Sequence, residues 1–62
     1  MQILDFIRTL DNEFDGYIII FDEGKRIELH KDDVPFSILM KNVYTWNVEE
    51  YEGYPCIKIW TE

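Results

Sequence analysis

Tyr17-Ile18-Ile19-Ile20-Phe21 is the stretch that most limits what this chain can become. Three successive β-branched residues between two aromatic ones favour an extended backbone, and with no polar alternation both faces of the segment need cover. Such a strand belongs in the middle of a sheet. Asp22-Glu23-Gly24 follows, with a glycine where a tight hairpin needs positive φ, and then Ile27, Glu28, Leu29 and His30 alternate. Residues 17–30 therefore read as an antiparallel β-hairpin whose first strand is central.

The flanking sequence supplies a second layer. Ile3, Leu4, Phe6, Ile7 and Leu10 recur at helical spacing with Asp5, Arg8, Thr9 and Asp11 between them, which predicts an amphipathic helix of about three turns, open to extension as far as Phe14. Lys31-Asp32-Asp33-Val34-Pro35 reads as an acidic N-cap followed by proline in a first turn. It predicts a short helix from about Val34 to Lys41 that presents Phe36, Leu39 and Met40, with Ile38 beside them, and stops at Asn42. Val43–Val48 is a strand by composition, with Tyr44, Trp46 and Val48 on one face and Val43, Thr45 and Asn47 on the other. Residues 49–55 carry the glycine and proline of a turn. Cys56–Thr61 is a last strand, with Ile57 and Ile59 facing away from Cys56, Lys58 and Trp60, and Trp46 is expected near Trp60 or Lys58 across this second hairpin. The order α-β-β-α-β-β predicts a single α+β domain over 1–62, a four-stranded, mainly antiparallel sheet packed against an N-terminal helix and a short second helix. Strand order does not follow from the pattern.

Charge narrows the partners. Thirteen acids against six bases give a formal charge of −7, which repels phosphates and predicts no direct contact with nucleic acid. Lys25 and Arg26 are adjacent, while Arg8, Lys31, Lys41 and Lys58 are scattered. An apolar share of 47% and an aromatic share of 16% set the chain apart from disordered acidic segments. A lone Cys56 forms no internal disulfide and no Cys₄ or Cys₂His₂ zinc site. There is no basic leader, and no apolar run approaches the roughly 18 residues of a membrane helix, so a soluble cytoplasmic protein is expected.

Asp11-Asn12-Glu13-Phe14-Asp15-Gly16-Tyr17-Ile18-Ile19-Ile20-Phe21-Asp22 resembles the calcium loop of EF-hand proteins, with oxygen ligands at loop positions 1, 3 and 5, glycine at 6, isoleucine at 8 and an acid at 12. It departs from that loop in having Asp22 where a longer, bidentate Glu is favoured, the bulky Phe14 at position 4, and a strand-like exit. A solvated acidic turn is the main reading of this segment, and a Ca²⁺-binding turn at Asp11–Asp22 a minor alternative. Glu28, His30, Asp32 and Asp33 include two or three groups that could approach a metal, but one histidine beside acids at a strand end reads first as surface. Cys56 would act as a nucleophile only with a base beside it, His30 being the sole candidate, and reads first as a small buried apolar residue. No glycine-framed nucleophile elbow and no phosphate-cradling loop is present, so neither an enzyme nor a cofactor is expected.

The predicted topology makes one further inference. If the second helix crosses the sheet, Asp11, Glu13, Asp15, Asp32, Asp33, Glu49, Glu50 and Glu52 gather at one end, eight of the thirteen acids. Tyr51 and Tyr54 stand beside them, of a residue type that anchors binding surfaces. This predicts a small acidic protein-interaction module whose partner carries a basic surface; one specific form is an inhibitor whose carboxylates imitate the phosphates of a nucleic acid. In size, acidity and lack of motifs the chain resembles small accessory proteins of bacteriophages and mobile elements, among which inhibitors of host defence occur. The alternative is a structural homo-oligomerising domain that buries sheet edges or the Trp face and has no external ligand.

Overall fold

The computed structural model describes residues 1–10 and 16–62. In chain order it contains helix α1 (Ile3–Arg8), strands β1 (Tyr17–Asp22) and β2 (Lys25–His30), a 3₁₀ turn (Lys31–Asp33), helix α2 (Phe36–Leu39), and strands β3 (Val43–Tyr51) and β4 (Tyr54–Thr61). The strands form one sheet in the order β2-β1-β4-β3. β1–β2 and β3–β4 are antiparallel hairpins, and β1 joins β4 in parallel, so the sheet is mixed and mainly antiparallel. The fold is the expected α+β arrangement, and β1 is central.

Alternation along the strands sorts the side chains. Ile18 and Ile20 stand in register with Ile57 and Ile59, and all four meet Ile3 and Phe6 of α1 and Val34 in one buried core. Ile38 and Leu39 of α2 and Ile27 and Leu29 of β2 close its margin. Both helices thus lie on one face of the sheet. The opposite, open face carries no helix among the described residues, yet Ile19 is buried there too. Glu28 and Lys58 flank it in register, the Phe21 and Trp60 rings stack above it at 5.0 Å, and Tyr17 meets His30 edge-on below it. The apolar run is covered on its second face by side chains of its own sheet.

Several local expectations change. α1 ends at Arg8, earlier than the apolar spacing suggests, because the Thr9 hydroxyl and amide both turn back to the Phe6 carbonyl and the Leu10 amide donates to Ile7 in a tightened last turn. Its proposed extension to Phe14 lies outside the described residues. Asp32 and Asp33 sit in the 3₁₀ turn, where the His30 side chain accepts the Asp32 amide, so they do not cap α2. Val34 is held extended by the proline after it, and Pro35 becomes the N-cap of a helix only four residues long. Ile38 and Leu39 of that helix pack inward, whereas Phe36 and Met40, four residues apart, face solvent.

The second hairpin is longer than expected and its turn shorter. β3 runs to Tyr51 and turns through Glu52-Gly53, with φ of 51° and 84°, and the first hairpin turns the same way through Glu23-Gly24, with φ of 50° and 79°. Paired positive φ values give the turn twist that matches adjoining strands. Pro55 fits within β4 because it opposes Glu50, one step from the Tyr51–Tyr54 pair that closes the turn, where the ladder to β3 asks for no amide. A bulge between Val43 and Thr45 moves Val43 onto the core face and leaves Tyr44 exposed. Trp46 opposes Ile59 and packs on Phe6 at 5.2 Å, while Trp60 lies on the open face, so the two indoles do not meet.

The two ends of the sheet differ. At the upper end, where β1 finishes and β3 starts, the Ile3 amide donates to Lys41, the Val43 amide to Met1 and the Glu62 amide to Asn42. Beside this clip the Asp22 carboxylate takes the Lys41 ammonium at 2.8 Å and the Thr61 hydroxyl at 2.7 Å. These bonds, Lys41 first, hold the Asp22 carboxyl below its ordinary 3.8, and the Asp22 bond holds the Lys41 ammonium above its ordinary 10.5. At the lower end lie Gly16, His30 and the Tyr51–Tyr54 turn. No helix among the described residues is long and apolar enough to cross a membrane.

Two outcomes are expected. Gly24→Ala should cost ~1–2 kcal/mol in denaturant unfolding, since a left-handed backbone penalises any Cβ even where nothing stands within 4 Å of it. The stability advantage of wild type over Asp22→Asn should be present from above pH 3.8 up to 10.5, shrinking as pH falls through the lowered Asp22 value and again as pH rises through the raised Lys41 value. A pH-independent difference would mean that the pair adds nothing to stability.

Candidate functional site

β1 and β4 run the same way, so the starts of both strands, the end of β2 and the end of β3 share the lower end. Every described member of the predicted acidic group lies at or near that end. Asp32 and Asp33 belong to the 3₁₀ turn after β2, Glu49 and Glu50 to the last part of β3, and Glu52 to the turn before β4. All five are exposed. Asp11, Glu13 and Asp15 lie outside the described residues.

The sheet order divides these acids into two corners. β2 and β3 are opposite edges, three strand spacings or about 14 Å apart, so Asp32 and Asp33 stand away from Glu49, Glu50 and Glu52. Within the second corner Glu49 lies on the open face, 3.0 Å from the Lys58 ammonium, and Glu50 lies on the helix face. Tyr51 ends β3 opposite Tyr54, and Tyr54 is 71% exposed.

Between the two corners the open face is hollow. A concavity of about 590 Å³ has Ile19 and Cys56 among its lining, Tyr17, Arg26, Glu28 and His30 along one side, and Glu52, Tyr54 and Pro55 along the other. The sequence pattern shows Glu28 and His30 on a common face but does not reveal this hollow, because its walls meet only once β1 pairs with β4. Arg26 and Glu28 approach to 3.6 Å with both side chains half in water, where such a pair adds little energy and stays available to a ligand.

The lining brings together one thiol, one imidazole and the carboxylates of Glu28 and Glu52. Burial, followed by the charge of Glu28, pushes the Cys56 thiol above its ordinary 9.0, so it is not a thiolate at neutral pH. His30 and Cys56 flank Tyr17 on either side, two strand spacings or about 10 Å apart, so they form no nucleophile–base pair. Among the described residues no three His, Cys, Asp or Glu side chains converge as metal ligands. Within the segment that resembles a calcium loop, residues 17–22 are extended, which carries Asp22 roughly 17 Å beyond the start of β1, to Lys41 and Thr61.

Cys56 should therefore resist iodoacetamide at pH 8 in the native protein and react at once in denaturant. Complete labelling of the native chain within minutes would show an accessible thiolate in the hollow. Comparison with models of protein families, with curated proteins and with solved structures finds no match for this chain.

Proposed function

We propose that this chain is a small acidic protein-interaction module whose lower end docks on a basic surface of another protein. The observation that carries the reading is the shared position of Asp32, Asp33, Glu49, Glu50 and Glu52 at one end of the sheet, with exposed Tyr54 among them. Two acidic corners about 14 Å apart, with a hollow of partly apolar lining between them, suit a convex basic element better than a single cation. Carboxylates supply long-range attraction and orientation, and Tyr54 supplies area that is buried at little entropic cost. One specific form is occupation of a nucleic-acid cleft, with the two corners standing where phosphates would lie.

The full chain, immobilised and exposed to an extract of its own cells, should retain a basic protein at low salt. It should release it as ionic strength nears 1 M, where the screening length falls to about 3 Å. A variant carrying D32N, D33N, E49Q, E50Q and E52Q should keep its fold and lose the capture. Equal capture by both baits, or retention indifferent to salt, would sink the reading. For the inhibitor form, wild type should displace an oligonucleotide from the captured protein and the neutralised variant should not.

A further inference from the structure

The two edges of the sheet are unlike. β2 carries Lys25, Arg26, Glu28 and His30 among its six residues, and charges along an edge discourage another strand from pairing with it. β3 has neither lysine nor proline, and from Asn42 to Val48 it has no charge at all. In a chain of net charge −7, this is where another acidic molecule can approach closely. Counting the ladder from the Tyr51–Tyr54 pair, residues 45, 47, 49 and 51 bond to β4, and Trp46, Val48 and Glu50 turn their amides and carbonyls outward. The side chains of Trp46 and Val48 stand on the helix face at the flank of α1, 52% and 55% exposed even though Trp46 packs on Phe6.

We propose that the β3 edge is an interface between two copies of this chain, paired antiparallel about a two-fold axis at Asn47 into one eight-stranded sheet. In that register Trp46 of each copy meets Val48 of the other, both through outward-turned backbone groups and through apolar side chains on a common face. Thr45 then meets Glu49 and Tyr44 meets Glu50, so no acid faces an acid. Neighbouring registers do worse. An axis at Val48 sets Trp46 against Glu50, an axis at Glu49 sets two carboxylates together, and an axis at Trp46 drives Val48 into the bulge at Tyr44. Antiparallel pairing also points the two acidic ends in opposite directions, so that the lower end of one copy lies beside the upper end of the other. This surface is separate from the proposed docking end, and either can fail without the other.

The test is a pair of single-cysteine additions to the full chain, read beside sedimentation equilibrium. At the axis the two copies of residue 47 form a non-hydrogen-bonded pair with Cα atoms about 4.5 Å apart, within disulfide reach, whereas the two copies of residue 45 are about 14 Å apart. Asn47→Cys should cross-link under mild oxidation many-fold faster than Thr45→Cys, Cys56 being common to both. Wild type should shift from monomer to dimer as concentration rises, and Val48→Lys should stay monomeric, with the circular dichroism spectrum and melting temperature that wild type has at concentrations where it is itself monomeric. Wild type that remains monomeric at its highest soluble concentration overturns the proposal. So does cross-linking of the two cysteine variants at equal rates, or a Val48→Lys protein that still dimerises.

Discussion

The parallel contact between β1 and β4 is the constraint on which the rest of this molecule rests. Each hairpin closes locally through its own Glu-Gly turn, but neither hairpin alone forms the surface that α1 needs. That surface exists when Ile18 and Ile20 stand beside Ile57 and Ile59, giving four aliphatic side chains on one face. A six-residue helix has almost no stability of its own in water, so α1 is helical because Ile3 and Phe6 have this platform to cover. Burial of each isoleucine contributes roughly 1.5–3 kcal/mol against chain entropy, a large fraction of what a domain this small can hold.

How much of this was legible in the residues follows from the range of the interactions involved. Tyr17–Phe21 announces a central strand because its lack of alternation is a local property, and Gly24 announces the turn for the same reason. The meeting of β1 with β4 is not local: Ile18 and Ile57 carry no mark that names each other, so strand order was out of reach, and with it the hollow bounded by Tyr17, His30, Cys56 and Tyr54. The bulge at Tyr44 was also hidden. A period of two predicts Val43 on the face opposite Trp46, and only the competition between the β4 ladder and the Met1–Val43 backbone bond places an extra residue there. Pro55 misled in the other direction, since proline argues against a strand unless its position in the ladder is known.

The acidic residues divide along similar lines. Their common end of the sheet follows from strand direction, which the sequence conveys through hairpins and a crossing helix. Their separation into two corners follows from the order of strands, which it does not convey. Asp22 is the instructive exception among them: by spacing it closes a cation loop with Asp11, but β1 carries it away to the end where Lys41 and Thr61 bind it. An acid can therefore belong to the scaffold while its neighbours in sequence remain at the surface, and charge counts alone do not separate the two.

The clip at the upper end makes the path of the chain nearly cyclic. Gln2 bridges to Asn42, and the Glu62 amide donates to the carbonyl of that same residue, so a single backbone unit between α2 and β3 receives both extremities. A ring made by joining 62 to 1 through a few flexible residues and opened at Glu52-Gly53 would retain both ladders of β4 and the helix layer above them.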